Sequence, residues 1–205
     1  KYLRKPQVVQ VGRRSQAAAT VRHFVYPVPK HKKMELLVHL LRETAAEDSV
    51  LVFTRTKHGA DRVVRHLSSA GIDARAIHGN KSQAQRTTAL QAFRHGHVKL
   101  LVATDIAARG IDVDGVTHVL NFDIPNVPET YVHRIGRTAR AGADGVAISF
   151  CDREERAYVR DIEKLIRKPI PMVENHPYRD NGVGPESSAS AGDDRPQGHG
   201  QRHGG

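Results

Sequence analysis

Short apolar runs alternate along most of the chain with longer segments of helical periodicity. The short runs predict strands, because about four to eight apolar residues between polar or turn residues are typical of buried strands. The longer segments predict helices, because their apolar residues recur on one face. The predicted strands are 21–28, 49–54, 73–77, 98–103, 116–122 and 145–150. The predicted helices are 31–46, 59–70, 82–95, one within 128–140, and 152–166.

Residues with special backbone preferences mark several helix ends. Ser82 is the expected N-cap of the third helix, and Pro128 fits the first turn of the fourth. Gly71 and Gly96 are expected to stop the second and third helices. The periodicity predicts inward-facing stripes in the first and last helices: Met34, Leu37, Val38 and Leu41, then Tyr158, Ile162 and Leu165.

Strands that alternate with helices predict an α/β fold, in which a parallel sheet carries helices on both faces. In such sheets ligands bind beyond the carboxyl ends of the strands. Polar residues stand at those ends here: Thr54–Thr56, His78–Gly79, Thr104–Asp105 and Asp123. We therefore expect one continuous functional face along this edge.

Residues 133–140, HRIGRTAR, combine one histidine with three arginines. Read as a helix, His133, Arg137 and Arg140 fall at i, i+4 and i+7 on one face. Like charges in this arrangement repel each other, so an anionic partner would compensate them. Guanidinium groups suit phosphate oxygens, which they can bind with paired hydrogen bonds. A solvated basic face is the alternative interpretation.

The net charge of +10 is concentrated near the start of the chain. Residues 1–33 hold nine Lys and Arg and no Asp or Glu, so the other 172 residues carry only +1. This basic leader could attract nucleic acid or act as a solubilising linker. The sequence has no run of about 18 apolar residues, which excludes a membrane span, and it lacks the apolar core of a signal peptide. The single cysteine, Cys151, excludes an intrachain disulfide, fits a reducing cytoplasm and is expected to serve packing.

Four segments together resemble the C-terminal RecA-like lobe of DEAD-box RNA helicases. They are LVFTRTK (51–57), HGNKSQ (78–83) followed by Arg86, ATDIAARGID (103–112) and HRIGRTAR (133–140). The resemblance runs from Val21 to Pro171, and the segment IEKLIRKPIP (162–171) looks most like the bacterial RhlE-type branch. It implies three parts: residues 1–20 as the end of a preceding lobe and a linker, 21–171 as the helicase C-terminal domain, and 172–205 as a tail. The tail is rich in Gly, Ser, Pro and Asp without apolar periodicity, which predicts disorder.

The resemblance also implies how ATP would be used. In this family ATP lies between two RecA-like lobes, and Arg137 and Arg140 would be arginine fingers that reach its γ-phosphate. Asp112 would accept a hydrogen bond from the ribose, and Gly110 would allow the turn that positions it. A third group, Arg109, His133 and Arg134, would couple this lobe to the N-terminal lobe.

The same resemblance assigns RNA contacts. Five residues would hold RNA phosphates and sugars without reading base sequence: Thr56, Gly79, Gln83, Arg86 and Thr104. Two positions depart from the commonest family pattern. Ala139 stands where glycine is more usual, and Asn80 stands where aspartate is common.

Two family motifs are absent from the sequence. It contains neither a G-x-x-x-x-G-K-[ST] phosphate loop nor an Asp-Glu-Ala-Asp run. We therefore expect the chain, which begins at Lys1, to be a fragment that is inactive alone; the N-terminal lobe would grip ATP and hold Mg²⁺, and no metal site is predicted here. The expected parent is an ATP-dependent RNA helicase in the cytoplasm, with RNA and the N-terminal lobe as partners. A stand-alone RNA-binding or regulatory module and a DNA-acting helicase of a related superfamily are the alternatives.

Overall fold

Six parallel strands form one sheet in the computed structural model, which describes residues 21–44, 48–109, 113–138 and 145–179. The strands are β1 (Val21–Pro27), β2 (Val50–Phe53), β3 (Arg75–Ile77), β4 (Leu100–Ala103), β5 (His118–Asn121) and β6 (Gly145–Cys151). Their order across the sheet is β1-β6-β5-β2-β4-β3. Every neighbouring pair is parallel, as the alternation of strands and helices predicts.

Helices cover both faces of this sheet. They are α1 (Lys33–Glu43), α2 (Lys57–Ser69), α3 (Gln83–Arg94), α4 (Asp105–Ala108), α5 (Pro128–Ile135) and α6 (Arg156–Ile166). Short 3₁₀ turns precede α1 and α6 at Lys30–Lys32 and Arg153–Glu155. One face packs on α1 and α2, and the other on α3 to α6. The predicted fold class, a parallel sheet with helices on both faces, is confirmed.

The predicted helix ends come from local chemistry that the structure retains. The Ser82 hydroxyl accepts from the Gln85 N–H, and the Gln85 side chain accepts from the Ser82 N–H, so the two form a capping box at the start of α3. Gly71 and Gly96 follow α2 and α3 with φ of 78° and 73°. That left-handed conformation costs glycine little and ends each helix where the sequence predicts it.

Alternate residues of each central strand enter different cores. In β2, Val50 and Val52 belong to the core beneath α1 and α2, whereas Leu51 and Phe53 belong to the opposite one. This alternation follows from the two-residue period of a strand. It leaves the turns after the strands as the places where polar side chains can gather.

The predicted inward stripes of two helices are confirmed except at one position. In α1, Leu37 is fully buried and Met34, Val38 and Leu41 pack partly buried against the core. Lys33 is also buried, because its ammonium binds acidic residues inside the domain. In α6, Ile162 is buried and Tyr158 packs against the core, whereas Leu165 is 42% exposed, so its predicted place in the core is wrong.

The helix predicted within 128–140 is shorter than its periodicity suggests. It ends at Ile135, and Thr138 instead forms a parallel bridge with Val116 just before β5. His133 and Arg137 therefore do not share one helical face. Arg140 and Ala139 lie outside the described residues.

Packing continues past the predicted domain boundary at residue 171. The segment 171–179, which we call the edge segment, lies beside β1: the Val25 N–H donates to the Pro171 carbonyl, and the Val173 N–H donates to the Val25 carbonyl. Tyr178 packs against the core beneath α1. The edge segment thus covers the outer side of β1, which would otherwise expose unpaired backbone groups. Residues 1–20 and 180–205 lie outside the described part, so the predicted linker and disordered tail stay predictions.

Candidate functional site

Three neighbouring strands bring most of the predicted RNA contacts to one edge of the sheet. β2, β4 and β3 lie side by side, and Thr56, Thr104 and Gly79 follow their carboxyl ends. The turns are joined directly, because the Thr54 N–H donates to the Ala103 carbonyl over 3.0 Å. Gln83 lies at the start of α3, and Arg86 follows it one turn along the helix. We call Thr56, Gly79, Gln83, Arg86 and Thr104 the carboxyl-edge cluster.

Two members of the cluster are exposed at the ends of their strands. Thr56 is the N-cap of α2, where its hydroxyl accepts the Gly59 N–H over 3.0 Å and keeps its own proton for an outside acceptor. Gly79 is exposed, and a Cβ added to it would meet nothing within 4 Å. Its φ lies outside the left-handed region. The fold itself therefore does not require glycine at position 79, whereas a molecule that comes close to the backbone would.

The first turn of α3 adds hydrogen-bond donors beside Gly79. Arg86 lies half-buried with Nη1 3.4 Å from the Gln83 Oε1, and its buried Nε has no hydrogen-bond partner among the described residues. The N-terminus of a twelve-residue helix also presents free N–H groups with a partial positive charge. Thr104 is 9% exposed, and its side chain does not cap α4. This arrangement suits an anion more than a neutral ligand.

A second surface lies between α4 and α5. Arg109, His133 and Arg137 line one shallow pocket there, and we call these three residues the α4–α5 surface. Arg109 and His133 are exposed, while the side chain of Arg137 is 21% exposed. Nη1 of Arg137 lies 3.2 Å from Oδ1 of Asp114. The predicted ATP contacts Gly110, Asp112 and Arg140 lie outside the described residues.

The two surfaces are connected by the four residues of α4. Thr104 is the N-cap of that helix and Arg109 its C-cap, which separates them by only about 8 Å along the helix axis. Arg137 lies farther away, because α5 runs back from the carboxyl edge. The Arg137 carbonyl accepts the N–H of Val116, which precedes β5 at the opposite edge. The predicted polar residues thus do share one edge, but the arginine segment extends away from it.

Arg134 has a place that sequence reasoning missed. It is 2% exposed, and its guanidinium donates to both carboxylate oxygens of Asp105, over 2.6 and 2.9 Å. It also donates to the Asn121 side chain and the Asp123 carbonyl. Its carbon Cζ lies 5.0 Å from the centre of the Phe53 ring. The Arg134 donors are thus engaged inside this domain, and the predicted coupling of Arg134 to another lobe stays a prediction.

A buried ion cluster near the carboxyl ends of β1 and β6 was also missed. The Lys33 ammonium lies 2.5 Å from a Glu155 oxygen and 3.2 Å from Asp152. Arg55 reaches the other Glu155 oxygen over 3.0 Å, and that oxygen also accepts the Ile124 N–H. Burial raises the pKa of Glu155 above its ordinary value, and the charge of Lys33 opposes the rise. The cluster ties α1, β2 and β6 together, and no local pattern announces it because its members lie far apart in the sequence.

Cys151 contributes packing rather than reactivity. Its side chain is buried and free, and burial raises the pKa of its thiol to about 12. The protonated thiol is therefore the form present at neutral pH, which makes it a poor nucleophile.

The described ranges contain no group of three or more His, Cys, Asp or Glu that could hold a metal ion. In the same ranges no helix has both the length and the apolar character needed to cross a membrane.

Comparisons with known proteins agree with this geometry. Residues 32–142 match the helicase conserved C-terminal domain. The ATP-dependent RNA helicase CshA of Listeria monocytogenes is 41% identical over 168 residues, which cover 82% of this chain and 32% of that protein. The chain spans about a third of the length of the curated relatives it matches.

Solved structures extend the likeness to the fold. The chain is similar to the E. coli DEAD-box protein SrmB, in its complex with regulator of ribonuclease activity A, with a TM-score of 0.71 and 38% identity over 75% of this chain and 90% of that one. It is also similar to S. cerevisiae Dbp5 bound to RNA and ADP BeF3, with a TM-score of 0.70 and 31% identity over 75% of this chain and 41% of that one. The predicted RecA-like architecture is thereby confirmed.

Proposed function

The chain belongs to the helicase conserved C-terminal domain family, and from that premise we propose that it is the C-terminal lobe of a DEAD-box ATP-dependent RNA helicase. The observation that carries the proposal is the carboxyl-edge cluster at one edge of the sheet. There Gly79 lets a ligand come close to the backbone, and Arg86 and the first turn of α3 can bind an anion. Among the relatives of this chain, CshA is named an ATP-dependent RNA helicase, and Dbp5 has been solved bound to RNA. The activity, substrates and partners of the whole protein follow as proposals.

The proposed role of Arg137, together with Arg140, is to stabilise charge on the γ-phosphate of ATP. The Arg137 side chain is partly exposed beside His133 and Arg109, so two guanidinium groups line the same pocket. A guanidinium aimed at the departing phosphoryl group lowers the barrier, because it meets charge that develops during transfer. The Asp114 carboxylate holds Arg137 until the nucleotide arrives.

The carboxyl-edge cluster is proposed to bind the RNA backbone. Thr56 offers a hydroxyl, Gly79 allows close approach, and the first turn of α3 offers N–H groups beside Arg86. These groups contact phosphates and sugars rather than base edges, which favours binding without sequence preference. A helicase that acts on varied RNAs needs that property.

Coupling between the two surfaces is proposed to pass through α4. Thr104 begins this helix and Arg109 follows it, while Asp105 is locked to the buried Arg134. A shift of Thr104 on RNA binding would therefore move Arg109 with it. In this proposal Arg109 and His133 contact the N-terminal lobe directly, whereas Arg134 acts from inside this domain by holding Asp105.

The remaining parts of the active site are assigned to the N-terminal lobe. That lobe would bind the triphosphate and hold Mg²⁺, since the sequence has neither the phosphate loop nor the acidic run. Gly110 and Asp112 would face the ribose. The buried free thiol of Cys151 is compatible with the reducing cytoplasm that we propose as the location. The RhlE-type branch stays a prediction, since the curated relatives compared above are CshA proteins.

The test uses the complete protein with its upstream lobe. Arg137→Ala should lower RNA-stimulated ATP turnover roughly a hundredfold or more, while ATP affinity changes much less. Arg137→Lys should restore little, because an ammonium cannot bind two phosphate oxygens in parallel. Arg160→Ala, which removes an exposed arginine of α6, is the matched control and should leave turnover unchanged.

The outcomes separate the alternatives. Wild-type protein without RNA-stimulated turnover would favour a stand-alone RNA-binding module. Equal stimulation by RNA and by DNA of the same sequence would favour the DNA-acting class. Normal turnover in folded Arg137→Ala would exclude Arg137 as an arginine finger and favour a solvated basic residue at this position.

A further inference from the structure

The segment between β3 and α3 is anchored to α2 by one carboxylate. This segment, residues 78–82, carries Gly79 and leads directly into Gln83 and Arg86. Oδ1 of Asp61, on α2, lies 3.0 Å from Nε2 of His78 and 3.0 Å from Nζ of Lys81. His78 is 1% exposed, so the anchor reaches from the buried end of β3 to the exposed turn after it.

The His78 ring is oriented by its own segment. The Asn80 N–H donates to Nδ1 of His78 over 3.3 Å, so Nδ1 accepts, and in the neutral ring the proton lies on Nε2. Nε2 then faces the Asp61 carboxylate. The alignment of Nε2 with the Asp61 carboxylate is poorer than in an ideal hydrogen bond, so this contact is chiefly electrostatic.

Asp61 stays ionised although it lies beside a buried ring. Burial opposes its ionisation, but the contacts with His78 and Lys81 outweigh burial, and its pKa lies below the ordinary value of 3.8. A charged acceptor binds its donors more strongly than a neutral one. The carboxylate therefore holds both residues at once at neutral pH.

Two further contacts complete the anchoring. The Lys57 ammonium donates to the Asn80 side-chain oxygen over 3.0 Å, and the Lys81 N–H donates to the His78 carbonyl over 3.0 Å. Residues 78, 80 and 81 are thus fixed by α2 or by each other. Gly79 remains exposed among them, with open space where a side chain would be.

We propose that Asp61 is a positioning residue for RNA binding, which fixes the segment 78–82 so that Gly79 and the first turn of α3 face the RNA backbone together. The proposal rests on the proposed RNA-binding function. Asp61 acts without touching RNA, because its Oδ1 is engaged by His78 and Lys81. Preorganised contacts bind more tightly because less freedom is lost on binding.

The first experiment compares Asp61→Asn with Asp161→Asn in the complete protein. Asp161 forms an exposed ion pair of the same 3.0 Å length with Lys164 on α6, so both changes remove one negative charge and a lysine ion pair, but only Asp61→Asn also removes a contact to a buried histidine. We expect the RNA concentration for half-maximal ATPase to rise about tenfold in Asp61→Asn only. Turnover at saturating RNA and KM for ATP should stay unchanged, and Asp61→Glu should recover part of the loss.

These kinetics separate positioning from a merely structural role. The charge change alone would strengthen attraction to RNA, so weaker binding in Asp61→Asn is informative. Equal RNA dependence in Asp61→Asn and Asp161→Asn overturns the proposal. The proposal is also overturned if Asp61→Asn leaves the RNA dependence unchanged but lowers turnover at saturating RNA or raises KM for ATP.

The second experiment needs no helicase activity. Hydrogen exchange of the 205-residue chain should be faster at the Asn80 and Lys81 amides in Asp61→Asn, while the β2 amides keep their protection. Unchanged exchange at these amides overturns the anchoring. If exchange is faster in Asp61→Asn but the complete protein shows no RNA-stimulated ATPase, the anchoring by Asp61 is supported and the proposed function is refuted.

Discussion

Arginines that look alike in the sequence do different work in the fold. Arg134 and Arg137 are three residues apart, yet Arg134 is buried with its donors engaged by Asp105, Asn121 and a backbone carbonyl, while Arg137 remains partly exposed beside Asp114. The motif predicts a cationic segment from composition alone. It could not reveal which guanidinium is internal, because the acceptors come from β5 and α4, whose contact with α5 is set by the tertiary fold.

Arg134→Ala tests this division. The change should lower the free energy of unfolding of this chain by about 3 kcal/mol, because it strips a partly buried carboxylate and a buried amide of their partner. Arg137→Ala should cost less than about 1 kcal/mol, since its ion pair with Asp114 is partly exposed. Urea denaturation of both variants measures the difference. Similar losses for the two would contradict the assignment of Arg134 as internal.

Gly79→Ala separates folding from binding at a single residue. Since the φ of Gly79 is ordinary and an added Cβ would meet open space, stability should stay within about 0.5 kcal/mol of wild type. RNA affinity of the complete protein should nevertheless fall, because the added methyl group occupies the surface that the backbone of RNA would approach. Urea denaturation and fluorescence anisotropy with labelled RNA provide the two measurements. Undiminished RNA affinity would remove Gly79 from the proposed interface.

Most elements were predicted from the sequence, and the errors lie where residues distant in the sequence meet. Periodicity located the six described strands and every described α-helix except the single turn α4, and capping residues placed the start of α3 at Ser82. The burial of Lys33 in α1 was not predicted, because this residue, normally at the surface, binds Glu155 from 122 positions away. The end of α5 escaped for a similar reason, since Thr138 leaves the helix to pair with Val116. Both errors arise where a non-local partner overrides the local pattern.

The edge segment should contribute measurably to stability. Ending the chain at Ile170 removes two backbone hydrogen bonds to Val25 and the packing of Tyr178 on α1. The free energy of unfolding should fall by about 2–3 kcal/mol, and the uncovered strand should make the chain more prone to associate. Ending the chain at Arg179 is the matched control and should cost little, because the following residues have no apolar periodicity. Urea denaturation and light scattering provide the measurements, and equal stability of both truncations would contradict the role of the edge segment.

On the scale of the whole molecule, topology was the most predictable property. Alternating strands and helices require parallel crossovers, and parallel strands direct their carboxyl ends to one edge, so the grouping of Thr56, Gly79 and Thr104 followed from order alone. The orientation of the arginine segment did not follow, because it depends on how far α5 runs back across the sheet. The anchor at Asp61 was equally hidden, since a lone aspartate on α2 has no pattern that links it to His78.

The proposed division of labour between two lobes can be tested with the chain as it stands. Alone it should fold, bind ATP weakly and show no magnesium-dependent hydrolysis, because it offers arginines to the phosphates but has no loop that cradles them. Mixed with the separately produced N-terminal lobe of its parent, it should restore part of the RNA-stimulated turnover, and Arg137→Ala in this chain should abolish the restoration. A steady-state phosphate-release assay with each lobe alone and with both together measures these rates. Suppose instead that this chain alone hydrolyses ATP and that Arg137→Ala abolishes this activity. The chain would then contain a complete site, and its assignment as half of one would be overturned.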